Sequence, residues 1–221
     1  MRLPLLVSVP HAGLDVPPEA APLCALTPEE IAADGDGGAA AIYAFADAVT
    51  RFETSAVARA IVDLKRAADD FRKDGVIKTH TCWDVPVWRE PPDAALVATL
   101  LARHHAPYHA RLARPDDAVR LGVDCHTMAA FGPPVGPDPG SERPEVCLSD
   151  ADGTLPRDWF ERLAAAFRAT FEGEVALNRP FRGGHIVRAH AAERPWVQVE
   201  LSRAPFDSDE GKRRRVLAAL G

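Results

Sequence analysis

Apolar positions along the chain fall into short runs broken by proline and glycine, and their spacing switches between a strand-like and a helix-like period. Leu5-Leu6-Val7-Ser8-Val9, closed by Pro10, reads as a buried strand. Thr27-Pro28-Glu29-Glu30 has the signature of a helix start: a capping threonine, a proline in the first turn and two carboxylates. After the glycine-dense break Asp34-Gly35-Asp36-Gly37-Gly38, Ile42, Phe45, Ala46 and Val49 recur at helical spacing and predict a second helix. Ser55–Leu64 carries alternating and β-branched apolar residues and predicts the next strand. From Asp93 to about Arg114 the stripe Leu96, Leu100, Leu101, His104 and Tyr108 predicts a long helix, with a kink or break at Pro107. Val119–Val123 predicts a strand ending in Asp124-Cys125-His126, and Gly132–Pro144, with five prolines and three glycines, a long surface loop. A helix over roughly Pro156–Phe171, strands at His185–Arg188 and Val197–Leu201, and a basic helix over about Asp209–Leu220 complete the pattern. Strands alternating with helices predict an α/β fold with a layered, mostly parallel sheet. No repeat, low-complexity tract or linker interrupts it, so residues 1–221 read as a single domain.

Composition narrows the class without giving a function. With 47% hydrophobic and 26% charged residues the chain can bury a sizeable core, so its 20 prolines point to fixed turns rather than disorder. A net charge of −6 argues against a nucleic-acid partner. The apolar start is too short for a signal peptide, and no run approaches the length of a membrane helix. The four scattered cysteines, with no C-x-x-C, read as reduced thiols of a cytoplasmic protein.

In open α/β sheets, ligands gather at the carboxyl ends of the strands. Reactive side chains just after predicted strands are His11, Arg66, Asp124 with His126, and Glu200. Two histidines, carboxylates and an arginine on one edge fit a mononuclear zinc hydrolase, with two histidines and one carboxylate as ligands. Glu200, between Val199 and Leu201, is costly in so apolar a strand unless paired or functional, and is the candidate proton shuttle. Blander readings stand beside these: His11 in a Pro-His-Ala-Gly turn as a loop cap, Asp124 and His126 as mutual hydrogen-bond partners, and Asp34 and Asp36 as solvated turn residues. His105 and His109 have the i,i+4 spacing of zincin ligands but lack the glutamate of H-E-x-x-H, so a helix face is the default. Lys212-Arg213-Arg214-Arg215 reads as a charge set on the last helix, and Gly183-Gly184 lacks the context of a nucleotide loop.

Taken in order, six segments resemble the N-formylglutamate amidohydrolase family: Leu6–Gly13; Asp34-Gly35-Asp36 followed by Ile42–Ala46; Val62–Arg66; Asp124–Met128; Phe181–Arg188; and Val197–Arg203. The resemblance implies a single-domain three-layer sandwich of the zinc-carboxypeptidase type, with a mixed, mostly parallel sheet. It implies one Zn²⁺ ion, or another divalent metal, and release of formate from N-formyl-L-glutamate, a step of histidine catabolism. Carried over, His11 and His126 are metal ligands, Asp36 is the carboxylate ligand with Asp15 second, and Glu200 is the general base. Arg66, Arg182 and Arg188 grip the carboxylate of a small-molecule substrate, with no nucleic acid and no membrane involved.

Four positions depart from the family pattern: Lys65 replaces an asparagine, His185 stands where tyrosine is common, and Gly37 and Gly38 replace aromatic and charged residues. All fall near the expected pocket and bear on the substrate. Two other readings stay open, a carboxypeptidase-like enzyme acting on short or cell-wall peptides and a degenerate member that binds an acidic metabolite. Among Asp15, Asp36 and Asp124, the residues alone do not select the carboxylate ligand.

Overall fold

The apolar runs become a six-stranded sheet in the computed structural model, which describes residues 2–221. The strands are β1 (Leu3–Val9), β2 (Val49–Thr54), β3 (Leu121–Met128), β4 (Val146–Ser149), β5 (Val175–Leu177) and β6 (Trp196–Ser202), in the order β2-β1-β3-β6-β4-β5. All neighbours are parallel except β4 with β6, which is antiparallel. The sheet is therefore mixed and mostly parallel, as the sequence pattern predicts.

Strand alternation explains the three layers. Leu5, Val7 and Val9 of β1, Val123 and Cys125 of β3, and Val197, Val199 and Leu201 of β6 enter one core. That core is covered by α2 (Ala39–Ile42), α5 (Arg157–Thr170) and α7 (Asp209–Leu220), which contribute Ile42, Phe160, Phe167 and Val216. The intervening positions face the other way, where Leu6 and Trp196 join a second core with Leu100, Tyr108, Leu112, Ile186 and Val187. Along the same face of β3 and β6 come Asp124, His126, Gln198 and Glu200, so the polar positions of the two strands share one side of the sheet.

Several predicted elements take another form. Ser55–Leu64 is not a strand. Val57, Ala58, Ile61, Val62 and Leu64 are buried, but in an irregular segment whose amides go to turns and to the single bridge Asp15–Val57, while β2 ends at Thr54. A short apolar run signals burial, not a ladder. His185–Arg188 is not a strand either: it opens α6 (His185–Ala189), which buries Ile186 and Val187. The second helix stops at Ile42, and Val49 begins β2. β2, β4 and β5 were not predicted.

The long helix comprises α3 (Ala94–Leu100), a π-turn over Leu101–His105 and α4 (Ala106–Ala113). It does not break at Pro107. A proline clashes with the carbonyl four residues back, and the widened turn directly before it accommodates that clash without ending the helix. The first helix, α1 (Pro28–Asp34), begins with the predicted cap: Glu30 N–H donates to Thr27 Oγ1, and Thr27 N–H donates to the Glu30 carboxylate. Among the described residues, no helix is long and apolar enough to cross a membrane.

Candidate active site

His11 follows β1 directly, and the turn beyond it presses so close to the 55–57 segment that a Cβ on Gly13 would lie 2.1 Å from the Ala56 carbonyl oxygen. His126 and Glu200 are register partners on β3 and β6. Asp36 arrives from the turn after α1, where Arg203 donates to the Gly35 carbonyl at 2.7 Å and Thr127 N–H donates to Asp36 Oδ2 at 3.2 Å. One donor atom from each of His11, Asp36 and His126 lies within 4.8 Å of the others, and all three residues are buried.

The hydrogen bonds fix which ring nitrogens face inward. His11 Nε2 lies 2.9 Å from Asp63 Oδ1, and His126 Nε2 lies 2.9 Å from Asp124 Oδ2. A nitrogen facing a carboxylate oxygen carries the proton, which leaves Nδ1 as the nitrogen of each ring that is turned to the centre of the cluster. Both Nδ1 atoms turn to Asp36 Oδ2, at 3.5 Å from His11 and 3.0 Å from His126. His11 Nδ1 is buried and has no hydrogen-bond partner among the described residues. An orphaned imidazole lone pair beside a carboxylate and a second imidazole, each ring backed by its own carboxylate, suits a divalent metal ion.

Charge is balanced around this cluster. Arg59 reaches Asp36 Oδ1 at 3.4 Å and Asp63 Oδ2 at 3.3 Å, while buried Lys78 lies 2.9 Å from Asp34 and 3.7 Å from Asp63. Burial pushes the Asp36 and Asp63 carboxyls up, but His11 leads a set of neighbours that outweighs it and holds both well below the usual carboxylate range. Burial likewise pushes the His126 imidazole down, and Asp124 outweighs that to hold it at about 9. In the metal-free protein this ring is a cation among carboxylates, and a metal ion would take the place of its proton.

The cluster forms the floor of a cavity of about 610 Å³. Glu200, Lys65, Arg66, Arg143, Arg182 and Arg203 line it, and the loop after β3 contributes Pro133, Val135 and Pro137. The long loop is thus a wall of the site. Arg66 pairs with Asp74 at 2.7 Å, and Arg182 sits exposed at the rim, paired with Asp152 at 3.0 Å. Arg188 is outside the lining and donates to the Gly183 carbonyl at 2.7 Å. Asp15 faces a separate groove with Pro17, Ala56 and His104, and Asp124 stands behind His126. Sequence reasoning did not single out Asp63, Arg59, Lys78 or Gln198. Asp63 carried a readable signal, since an acid between Val62 and Leu64 is as costly as Glu200 between Val199 and Leu201.

Histidines, carboxylates and cations thus gather at the carboxyl edge of an α/β sheet, the place where ligands of such folds collect. Its sequence matches the N-formylglutamate amidohydrolase family over residues 3–206, and the chain belongs to that family of amide hydrolases. It is 27% identical to the N-formylglutamate deformylase of Pseudomonas aeruginosa, over 95% of this chain and 84% of that protein. In fold it is similar to the crystal structure of N-formylglutamate amidohydrolase from Ralstonia eutropha JMP134, with a TM-score of 0.80, 20% identity, and coverage of 99% and 92% of the two chains. A second crystal structure, of a protein from Agrobacterium tumefaciens, matches with a TM-score of 0.70 at 18% identity, covering 97% of this chain and 85% of the other.

Proposed function

We propose that the chain is a zinc-dependent amidohydrolase of small N-acyl amino acids, with N-formyl-L-glutamate as substrate and formate and L-glutamate as products. The observation that carries the metal dependence is the buried, unpartnered Nδ1 of His11 turned toward Asp36 and His126. Membership of the family and the likeness to the Pseudomonas N-formylglutamate deformylase support this substrate.

His11, Asp36 and His126 would hold the ion, with Asp63 and Asp124 fixing the two rings through their outer nitrogens. When bound, such an ion supplies Lewis acidity, polarising an acyl carbonyl and lowering the pKa of water. Glu200 accepts a proton from the attacking water and delivers it to the departing amine nitrogen, so that a neutral amine leaves. Arg66 offers its guanidinium to the substrate carboxylate from the cavity wall, with Arg182 at the mouth as a second cation. Arg188 would need to leave the Gly183 carbonyl to take part.

The test is formate release from N-formyl-L-glutamate by zinc-loaded protein, beside a chelator-treated control. Formate that appears only with metal is the expected outcome. Hydrolysis of short peptides with none of N-formyl amino acids would move the chain to the peptidase reading, and tight binding of glutamate-like ligands without turnover to the metabolite-binding one.

A further inference from the structure

Lys65 stands where the family pattern has asparagine, and its side chain is held in a built frame. Its Nζ lies 2.8 Å from Glu200 Oε1. The same oxygen accepts from Gln198 Nε2 at 2.9 Å, and the Gln198 amide is itself oriented, because its oxygen accepts from Gly184 N–H at 2.8 Å. No donor among the described residues reaches the other oxygen, Oε2. The lysine stem runs so tightly over Gly184 that a Cβ there would lie 2.6 Å from Lys65 Cε and 2.7 Å from Cγ. Its main chain is pinned at both ends, with Lys65 N–H donating to Asp63 Oδ1 at 3.0 Å and His185 N–H donating to the Lys65 carbonyl at 3.2 Å. The Phe181 ring flanks the ammonium at 5.5 Å.

We propose that Lys65 is a positioning residue for Glu200, which clamps Oε1 together with Gln198 so that both proton transfers run through Oε2. Two donors on one oxygen fix the carboxylate plane, occupy both lone pairs of Oε1 and leave those of Oε2 to take up the proton. The balance is simple: Oε2 gains the proton as water attacks and loses it to the amine, while Lys65 keeps its own protons throughout. This inference rests on Glu200 being the base, so its test has one arm that needs no turnover.

That arm is nuclear magnetic resonance of the lysine ammonium groups in the zinc-loaded protein. The Lys65 ammonium should exchange slowly with water, and its signal should move in Glu200→Gln. A freely exchanging Lys65 signal indifferent to Glu200→Gln overturns the clamp, whether or not the enzyme turns over any N-acyl amino acid. The second arm is kinetic. Lys65→Met should lower kcat about ten- to a hundredfold, the cost of a misplaced group, with KM and zinc content nearly unchanged. Ethylammonium should restore part of the kcat of Lys65→Ala where ethanol does not. Gly184 has φ of −90° and ψ of −169°, open to any residue, so Gly184→Ala should fold, displace the stem and reproduce the kcat loss with Lys65 intact. A rise in KM alone would reassign Lys65 to substrate binding and overturn the proposal, as would unchanged kcat in both Lys65→Met and Gly184→Ala. Absence of turnover in wild-type protein would count against the functional reading and leave the ammonium measurement to decide the clamp.

Discussion

The segment Asp63–Arg66 has a group of histidines on either side of it, and the two groups are built on opposite rules. On one side, the outer nitrogens of His11 and His126 face the carboxylates of Asp63 and Asp124, and their inner nitrogens converge on Asp36. On the other side, His105 and His109 point Nε2 at the main-chain carbonyls of Arg66 and Leu64, at 2.8 and 3.0 Å. The rings of His105 and His109 stack at 4.3 Å, and His109 stacks on His190 at 5.2 Å, with His185 tilted against it at 5.3 Å. His109 Nδ1 and His190 Nε2 lie 2.9 Å apart in a hydrogen bond, so this group spends its nitrogens on main-chain carbonyls and on one another, and among the described residues only the first group forms a metal-capable set. The electrostatics diverge too. Burial, reinforced by His105, pushes His109 down to about 3, whereas the carboxylates hold His126 at about 9 despite burial. A count of histidines is therefore a poor guide to a metal centre; what each outer nitrogen touches is a better one.

The sharpest way to break this contrast is to remove one ring from each group. His126→Ala should lose zinc on gel filtration, whereas His109→Ala should carry as much zinc as wild-type protein by elemental analysis. Loss of zinc from both would collapse the distinction. A smaller effect is expected from Asp63→Asn, which keeps a hydrogen-bond acceptor near His11 but removes the charge. Zinc affinity, read by competition with a chromogenic chelator, should fall about 10- to 100-fold.

The effect that is smallest at neutral pH concerns acid stability. Because the folded-state pKa of His109 is depressed, the unfolded chain binds a proton that the folded chain refuses between about 6.5 and 3. Its contribution to stability is fully present above the unfolded value and is lost as pH falls through that window. Denaturant titrations at a series of pH values should therefore show a shallower loss for His109→Phe, by at most about 1.4 kcal/mol per pH unit. An unchanged slope would mean that the stack titrates as free imidazoles do.

Elements whose periodicity was unbroken were legible in the sequence: β1, β6, α5 and α7 lie where the pattern puts them, while β3 starts two residues later than expected and runs on to Met128, so Asp124 and His126 lie within the strand rather than after it. The residues of the cavity floor that the sequence pattern could single out were those attached to these elements, His11, His126 and Glu200. Asp36 depended on family likeness, because an acid in a glycine-rich turn looks solvated until Arg203 and Thr127 are seen to hold that turn in place. The stretch 55–78 resisted reading for a different reason. It supplies Arg59, Asp63, Lys65 and Lys78 from irregular backbone, whose shape depends on contacts distant in sequence such as Lys65 with Glu200 and Lys78 with Asp34. No local period encodes such contacts. Lys212, one of four successive basic residues, is buried with its ammonium on the Ser202 and Ala204 carbonyls, so a charge run can hide a pin at the end of a strand.

His11, His126 and Glu200 hang from β1, β3 and β6, three consecutive strands of the sheet, each with a neighbour on both sides. Amides in such strands exchange with solvent only when the whole sheet opens, while the proline- and glycine-rich wall over 132–144 is free to open locally. The cavity floor and the cavity wall therefore answer to different barriers. Over evolutionary time, insertions and substitutions in the wall can reshape what the cavity admits, and the floor need not be rebuilt.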